Sequence, residues 1–318
     1  MKIPNLSKLF RRTDQHIGWV AACVNSHGVY FAQVRHAGAK PEVLMCAFHP
    51  ADNVTPAALE KLRKDARIGD FQFITLLEPG EYQMLLVDTP NIPVEEMKTA
   101  IRWRIKDSLD YIVEEATIDV LKIPANSGGG ERPQALYAIA AHNSVIQNRI
   151  SLFEKAKIDL KVIDIPEMAQ RNIAVLFEEG ESGLALLSLD DNGGLLTFTC
   201  SGELYLARRI EITIGQLQDT DESMRTQYLE RLQLELERSM DYFGRQYSYI
   251  SVQRLLVSAP EQLGLVQLLG ADLDVPVEQI DLAQVLEIGA VPELANSEYA
   301  AQVFLALGAA LRQERRAL

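Results

Sequence analysis

Cysteine is scarce in this chain: Cys23, Cys46 and Cys200 lie far apart and form no Cys-x-x-Cys pair. That excludes a disulfide framework and a zinc ribbon, and it points to a reducing, cytoplasmic compartment. Histidine is rare as well. His16, His27, His36, His49 and His142 never stand four residues apart, and no His-Glu-x-x-His occurs, so no metal site is expected. Lone histidines at turns and strand ends read as surface or packing residues. The chain shows no Gly-x-Ser-x-Gly elbow and no Cys–His nucleophile arrangement, so no catalytic residue is assigned. It contains no Gly-Lys pair, and hence no Walker A phosphate loop.

Positive charge is also in deficit. Lys and Arg total 31 against 44 Asp and Glu, a net charge of −13, which excludes the basic footprint that phosphate backbones require. Long apolar runs are missing. The best candidate, Ala300 to Leu311, contains Gln302 and runs into Arg312, Glu314, Arg315 and Arg316. It falls short of the roughly 18–20 apolar residues of a spanning helix and reads as a buried terminal helix. Residues 1–16 form a basic lead, with Lys2, Lys8, Arg11 and Arg12 around Ile3, Leu6, Leu9 and Phe10. It lacks the apolar core and cleavage site of a signal peptide, and reads as a loose terminus rather than a lipid anchor.

What is present is an ordinary globular composition, 47% hydrophobic and 24% charged over 318 residues, enough for two domains or one bilobal domain. Gly18 to Arg35 alternates β-branched, aromatic and small residues around Asn25-Ser26-His27-Gly28, two strands joined by a tight turn. A third strand falls at Glu42 to Phe48, and Thr55-Pro56 opens a helix with Thr as its cap. Strands at Phe71 to Leu77 and Tyr82 to Val87 flank the turn Glu78-Pro79-Gly80. After Pro93, the residues Met97, Ile101, Ile105 and Leu109 recur every four positions, one stripe of a helix. Strands at Thr117 to Lys122 and Gln134 to Ala141 pair across the loop Asn126 to Gly130. A helix at Asn143 to Ala156, a strand at Leu160 to Ile165 and a helix at Glu167 to Phe177 follow.

Beyond Glu178 to Gly183 the plan restarts. Strands at Leu184 to Leu189, Leu195 to Cys200 and Leu204 to Ile212 are joined by Asp190-Asp191-Asn192-Gly193-Gly194 and Ser201-Gly202. A long helix over Gln216 to Phe243, a buried strand at Arg254 to Ser258 and a helix about Leu263 to Leu269 come next. A short strand and a helix at Asp281 precede the terminal helix. The echo between halves is one of topology, not of sequence, in an α/β chain.

The turns Asn25–Gly28 and Asp190–Gly194 carry a functional reading together, although each alone is a plain hairpin. Paired loops at the starts of two similar lobes grip the phosphates of ATP in actin-type ATPases, with an Asp from each lobe handling Mg²⁺ and water. One stretch is specific: Val87-Asp88-Thr89-Pro90, then Glu95 to Arg102, then Leu109-Asp110-Tyr111-Ile112. Leu136 to Ala141, Val162 to Glu167, and the strand Leu255-Leu256-Val257 follow in order. By these motifs, and over roughly residues 17 to 311, the chain resembles the actin-like PilM family of type IV pilus assembly proteins, most closely its MSHA-pilus branch.

The resemblance implies an α/β, actin-like two-lobed fold of the FtsA/PilM type with an inserted αβ subdomain. It implies a first lobe at residues 17–180 with the insertion at about 76–150, and a second lobe at 181–318 whose terminal helix, 300–312, returns to the first lobe. It also implies a cytoplasmic scaffold at the inner-membrane face, holding the N-terminal cytoplasmic tail of a bitopic, PilN-like membrane protein in a groove beside the insertion. The helix from Pro93 to Leu109 is expected as one wall, with Glu95, Glu96 and Arg102 touching the partner.

The nucleotide motifs depart from the family. Cys23 and Tyr30 stand where the first loop has an Asp and a basic residue. Ser188-Leu189-Asp190 replaces Asp-x-Gly in the second loop, and Ala259-Pro260 replaces the glycine pair beside adenosine. Proline has no N–H to offer a ligand. The turn residues Asn25, Ser26, His27, Gly28, Asp190, Asp191, Asn192 and Gly193 are therefore read as degenerate nucleotide loops, and no cofactor is expected. A functional actin-like ATPase or filament former, with ATP and Mg²⁺, is the alternative, and a sugar or acetate kinase the more distant one. A type II secretion relative would continue into its own membrane span.

Overall fold

The computed structural model describes residues 18–36, 38–66, 72–124 and 134–313. The basic lead and the loop 126–130 lie outside the described residues. Strands β1 (Trp19–Asn25), β2 (Gly28–Arg35) and β3 (Glu42–Pro50) form consecutive antiparallel hairpins. Asn25 sets the first turn. Its Oδ1 accepts from the backbone N–H of His27 and Gly28 at 2.9 and 3.1 Å, a local side-chain bond that stands in for a ladder bond. Gly28 has φ +147°, and a Cβ there would meet the carbonyl oxygen of His49 at 2.1 Å. Helix α1 (Pro56–Asp65) starts on Thr55, whose hydroxyl accepts from Ala58 N–H. Strand β4 (Gln72–Leu76) then pairs parallel with β1.

The chain next makes a separate layer. Strand β5 (Tyr82–Asp88), helix α2 (Val94–Ile105), strands β6 (Ala116–Lys122) and β7 (Ala135–His142) and helix α3 (Asn143–Lys155) follow in turn. The strands form a three-stranded antiparallel sheet in the order β5-β7-β6. Met97, Ile101 and Ile105 of α2 pack on Leu136, Ala138 and Ala140 of β7, the face selected by the two-residue period of a strand. Strand β8 (Leu160–Asp164) returns to the first sheet, parallel to β4 and at its edge, in the order β3-β2-β1-β4-β8.

Helix α4 (Pro166–Ala174) leads to the second half. Strands β9 (Gly183–Asp190), β10 (Gly193–Cys200) and β11 (Glu203–Ile210) repeat the double hairpin. The single helix expected over Gln216 to Phe243 is two helices, α5 (Ile214–Leu217) and α6 (Glu222–Gln246). The break has a local cause. Asp221 caps Ser223 and Met224 through their N–H groups, and its own N–H goes to Asp219 Oδ1. Short acidic side chains here compete with the helix for its backbone donors. Strand β12 (Val252–Ser258), helix α7 (Leu265–Gly270) and strand β13 (Val277–Gln279) complete a sheet ordered β11-β10-β9-β12-β13. That is the first sheet's order position for position.

Helix α8 (Ser297–Ala310), capped by Asn296, lies between the two five-stranded sheets against α4. Ala169 and Ile173 of α4 and Val303, Phe304 and Leu307 of α8 share one core with Ile74 of the first sheet and Leu186 and Leu256 of the second. The helices approach closely at Gly308, where a Cβ would stand 2.2 Å from the carbonyl oxygen of Ala169. Among the described residues, no helix is long and apolar enough to cross a membrane.

Candidate functional site

The two equivalent hairpin turns face one cavity. It holds about 270 Å³ between the lobes, and Asn25 and His27 line it from the first turn and Asp190, Asp191 and Asn192 from the second. Ser26, Gly28 and Gly193 belong to the turns but are not among the lining residues. Leu77, Pro79, Ile214 and Pro260 give apolar wall, and α8 contributes Glu298 and Leu305.

The departures read from the sequence can be followed atom by atom. Burial pushes the Cys23 thiol up to about 12, so at neutral pH it is a thiol and no ligand for Mg²⁺. Burial likewise raises the Tyr30 phenol. Ser188 faces inward and donates to Gln170 Oε1 at 2.5 Å. The Gln170 amide in turn donates to the carbonyls of Leu186 and Leu195 and to Thr197 Oγ1. Ser188 thereby ties α4 to the second sheet. Asp190 accepts from Asn192 N–H at 2.7 Å, and burial holds its carboxyl above the usual range. Ala259 O accepts from Gln279 Nε2, and Pro260 lines the cavity without a donor.

The charge of the cavity is predominantly acidic. Glu78, Asp190, Asp191 and Glu298 line it, against the single guanidinium of Arg209. Arg209 donates to Tyr82 Oη at 2.7 Å and to Glu167 Oε1 at 3.1 Å. A polyphosphate entering here meets four carboxylates and one guanidinium already engaged by Glu167, an arrangement that costs Coulomb energy at short range. Among the described residues no three His, Cys, Asp or Glu side chains converge as a metal site.

A second concavity, about 320 Å³, lies between the inserted sheet and the first sheet. Its walls are Ile139 and Ala141 of β7, Ile146 and Ile150 of α3, and Leu160 and Val162 of β8, with Thr117 and Asp119 of β6 at the rim. Helix α2 does not wall this groove. Its stripe is committed to the opposite face of the inserted sheet. Glu95 and Glu96 are exposed at the start of α2. Arg102 donates to the carbonyls of Val113 and Ala116 at 2.6 and 3.1 Å, holding the segment before β6. The resemblance led to a groove beside the insertion but to none of these lining residues, yet β7 carried a signal for them. Leu136, Ala138 and Ala140 alternate with Tyr137, Ile139 and Ala141, so both of its faces are apolar and both need cover.

Among solved structures, a chain of a PilM–PilN type IV pilus biogenesis complex superposes with a TM-score of 0.74 at 18% identity, covering 93% of this chain and 98% of that one. The fold is actin-like. The cytoplasmic domain of EpsL, an inner-membrane component of the Vibrio cholerae type II secretion system, matches with a TM-score of 0.47 at 11% identity, over 76% and 82% of the two chains. A Bacteroides thetaiotaomicron protein with an actin-like ATPase fold matches with a TM-score of 0.47 at 10% identity, over 90% and 96%. No family profile matches the sequence, and no curated protein does.

Proposed function

We propose that this chain is a non-enzymatic scaffold of a type IV pilus assembly platform, of the MshI kind that serves MSHA pili. In this reading it is a pseudo-ATPase, cytoplasmic and peripheral at the inner membrane. It is recruited by the cytoplasmic N-terminal tail of a bitopic, PilN-like protein. The observation that carries the reading is the groove between the inserted sheet and the first sheet. It is mostly apolar, with Thr117, Asp119 and Lys161 as its polar lining, and β6 and β8 beside it are each the last strand of their sheet. An extended tail placing aliphatic side chains against Ile139, Ile146 and Ile150 could continue either strand edge. The likeness to a chain from a complex with PilN supports this partner class. The acidic protein surface, Glu95 and Glu96 included, favours a tail with Lys or Arg beside its aliphatic anchors.

A fluorescent peptide carrying the tail of a PilN-like protein tests the reading by anisotropy. Ile150 is 40% exposed, so Ile150→Arg fills the groove with charge at little cost to the core. Binding should weaken about tenfold or more, a loss of about 1.4 kcal/mol, with the melting temperature nearly unchanged. No binding to the unaltered chain at about 100 μM peptide would sink the proposal.

The second reading, an actin-like ATPase that binds Mg-ATP and assembles with itself, is favoured by one observation: both hairpin turns do meet at one cavity. Titration calorimetry separates the two. The scaffold reading expects no saturable heat at millimolar Mg-ATP, and a low-micromolar dissociation constant would restore the ATPase.

A further inference from the structure

The inserted sheet meets the second lobe through a polar latch, with open space beside it. Tyr82 begins β5, Glu167 lies in the first turn of α4, and Arg209 lies near the end of β11. Tyr82 Oη donates to Glu167 Oε2 at 2.5 Å and accepts from Arg209 Nη2 at 2.7 Å; Arg209 also reaches Glu167 Oε1 at 3.1 Å. Glu167 is 3% exposed. A carboxylate so deeply buried requires its guanidinium and phenol partners together, so the three groups hold or release as a unit.

Four further observations give the latch a consequence. A cavity of about 260 Å³ separates the insertion from β11, and all three latch residues line it. The latch therefore spans a gap beside the core that Ile123 and Tyr137 share with Tyr205 and Leu206 of β11, and the insertion has room to move on the latch side. The Tyr82 ring packs among Leu77, Ala141 and Ile165, which also line the proposed tail groove. Arg209 at the same time lines the interlobe cavity. A deeper link, Tyr137 Oη donating to the carbonyl of Tyr205 at 3.2 Å, anchors the insertion to β11 at a second point.

We infer that Tyr82, Glu167 and Arg209 form a latch that sets the tilt of the inserted sheet on the second lobe and, through the Tyr82 ring, the width of the apolar groove. The inference rests on the tail-binding reading for its binding consequence. Tyr82, Glu167 and Arg209 are positioning residues, outside the groove itself. Opening the latch lets the sheet turn about the Tyr137 anchor, and whatever draws Arg209 into the interlobe cavity weakens the grip on the tail. The two sites are thereby coupled through one guanidinium, and the coupling acts in both directions.

The test uses the full chain, with spin labels at Glu114→Cys on the insertion and Glu230→Cys on α6, both exposed, and the fluorescent tail peptide. Tyr82→Phe keeps the ring packed and removes only the hydroxyl. It should broaden the distance distribution between labels and weaken the peptide about fivefold or more, within the usual span of coupling between sites. Arg209→Gln should do the same, and peptide added to the unaltered chain should narrow the distribution. An unchanged distribution in Tyr82→Phe overturns the latch, as does equal peptide affinity when the unaltered chain binds. Failure of the unaltered chain to bind peptide overturns the tail reading instead, and the label distances then decide the latch alone.

Discussion

Replacing Gly308 with alanine measures how closely α4 and α8 approach. The new Cβ would stand 2.2 Å from the carbonyl oxygen of Ala169, 2.7 Å from its carbon and 3.2 Å from Ile173 Cδ1. The first two atoms are backbone, so the helices must part or slide. Overpacking of this kind costs about 3 kcal/mol at the upper end of its usual range. The shift also strains the hydrogen bond from Asn172 Nδ2 to the Gly308 carbonyl, 2.9 Å, which contributes about 1 kcal/mol. Against both runs the gain in helix propensity of alanine over glycine, about 1 kcal/mol. The net is a loss of about 3 kcal/mol, read as a fall in the urea midpoint at unchanged slope. Gly244→Ala on α6 is the control, since a Cβ there meets nothing within 4 Å. It should show only the propensity gain, up to about 1 kcal/mol. If Gly308→Ala is as stable as the unaltered chain, the helices do not pack as described.

Other substitutions probe separate features. Arg312 Nη1 donates to Asp164 Oδ2 at 2.5 Å, and burial raises the Asp164 carboxyl even with that partner. The folded chain therefore holds this proton more readily than the unfolded one, and stability falls as pH rises from the usual carboxylate range through the raised value. Arg312→Ala removes a lowering influence, so its destabilisation, about 2 kcal/mol near pH 7, should shrink toward pH 4 in parallel urea titrations. Burial pushes Cys23 and Cys46 up to about 12, so neither should react with a thiol reagent until the chain unfolds; rapid native labelling of Cys23 would mean an open cleft. Charge reversal of Glu95 and Glu96 to Lys should slow association of a basic tail peptide with the melting temperature almost unchanged, the small fall coming from their place in the first turn of α2, and an unchanged on-rate at low salt would remove them from steering.

Local chemistry made much of the fold legible in advance. The Asn25 and Asp190 turns, the Thr55 cap and the stripe on α2 each depend on neighbours in the chain, and their elements fall within a few residues of expectation. The break before α6 falls in the all-polar run 218–223, ahead of the buried stripe that starts at Leu232, and it was hidden because periodicity ignores a cap. The start of α8 at Ser297 was set by the Asn296 side chain, ahead of the first strongly apolar residues. The interlobe cavity was legible only through the topological echo, which brought two turns far apart in sequence to equivalent places. The lining of the groove and the latch were not legible. Leu77, Ile146 and Val162 in the one, and Tyr82, Glu167 and Arg209 in the other, meet only once the sheets have assembled.

The position of α8 sets an order on synthesis. Both sheets bury their facing sides under a helix that the ribosome makes after nearly everything else described. Between the emergence of β8 and that of α8 lie residues 165 to 296, on the order of ten seconds of elongation. Throughout that interval Ile74 and its neighbours lack the cover that Phe304 and Leu307 later supply. The nascent first lobe is then a sheet with one wet apolar face, a substrate for chaperones and for its own copies on a polysome. Stalling the ribosome before Ser297 should leave a protease-sensitive chain, and release through α8 should convert it to a resistant one in a single step.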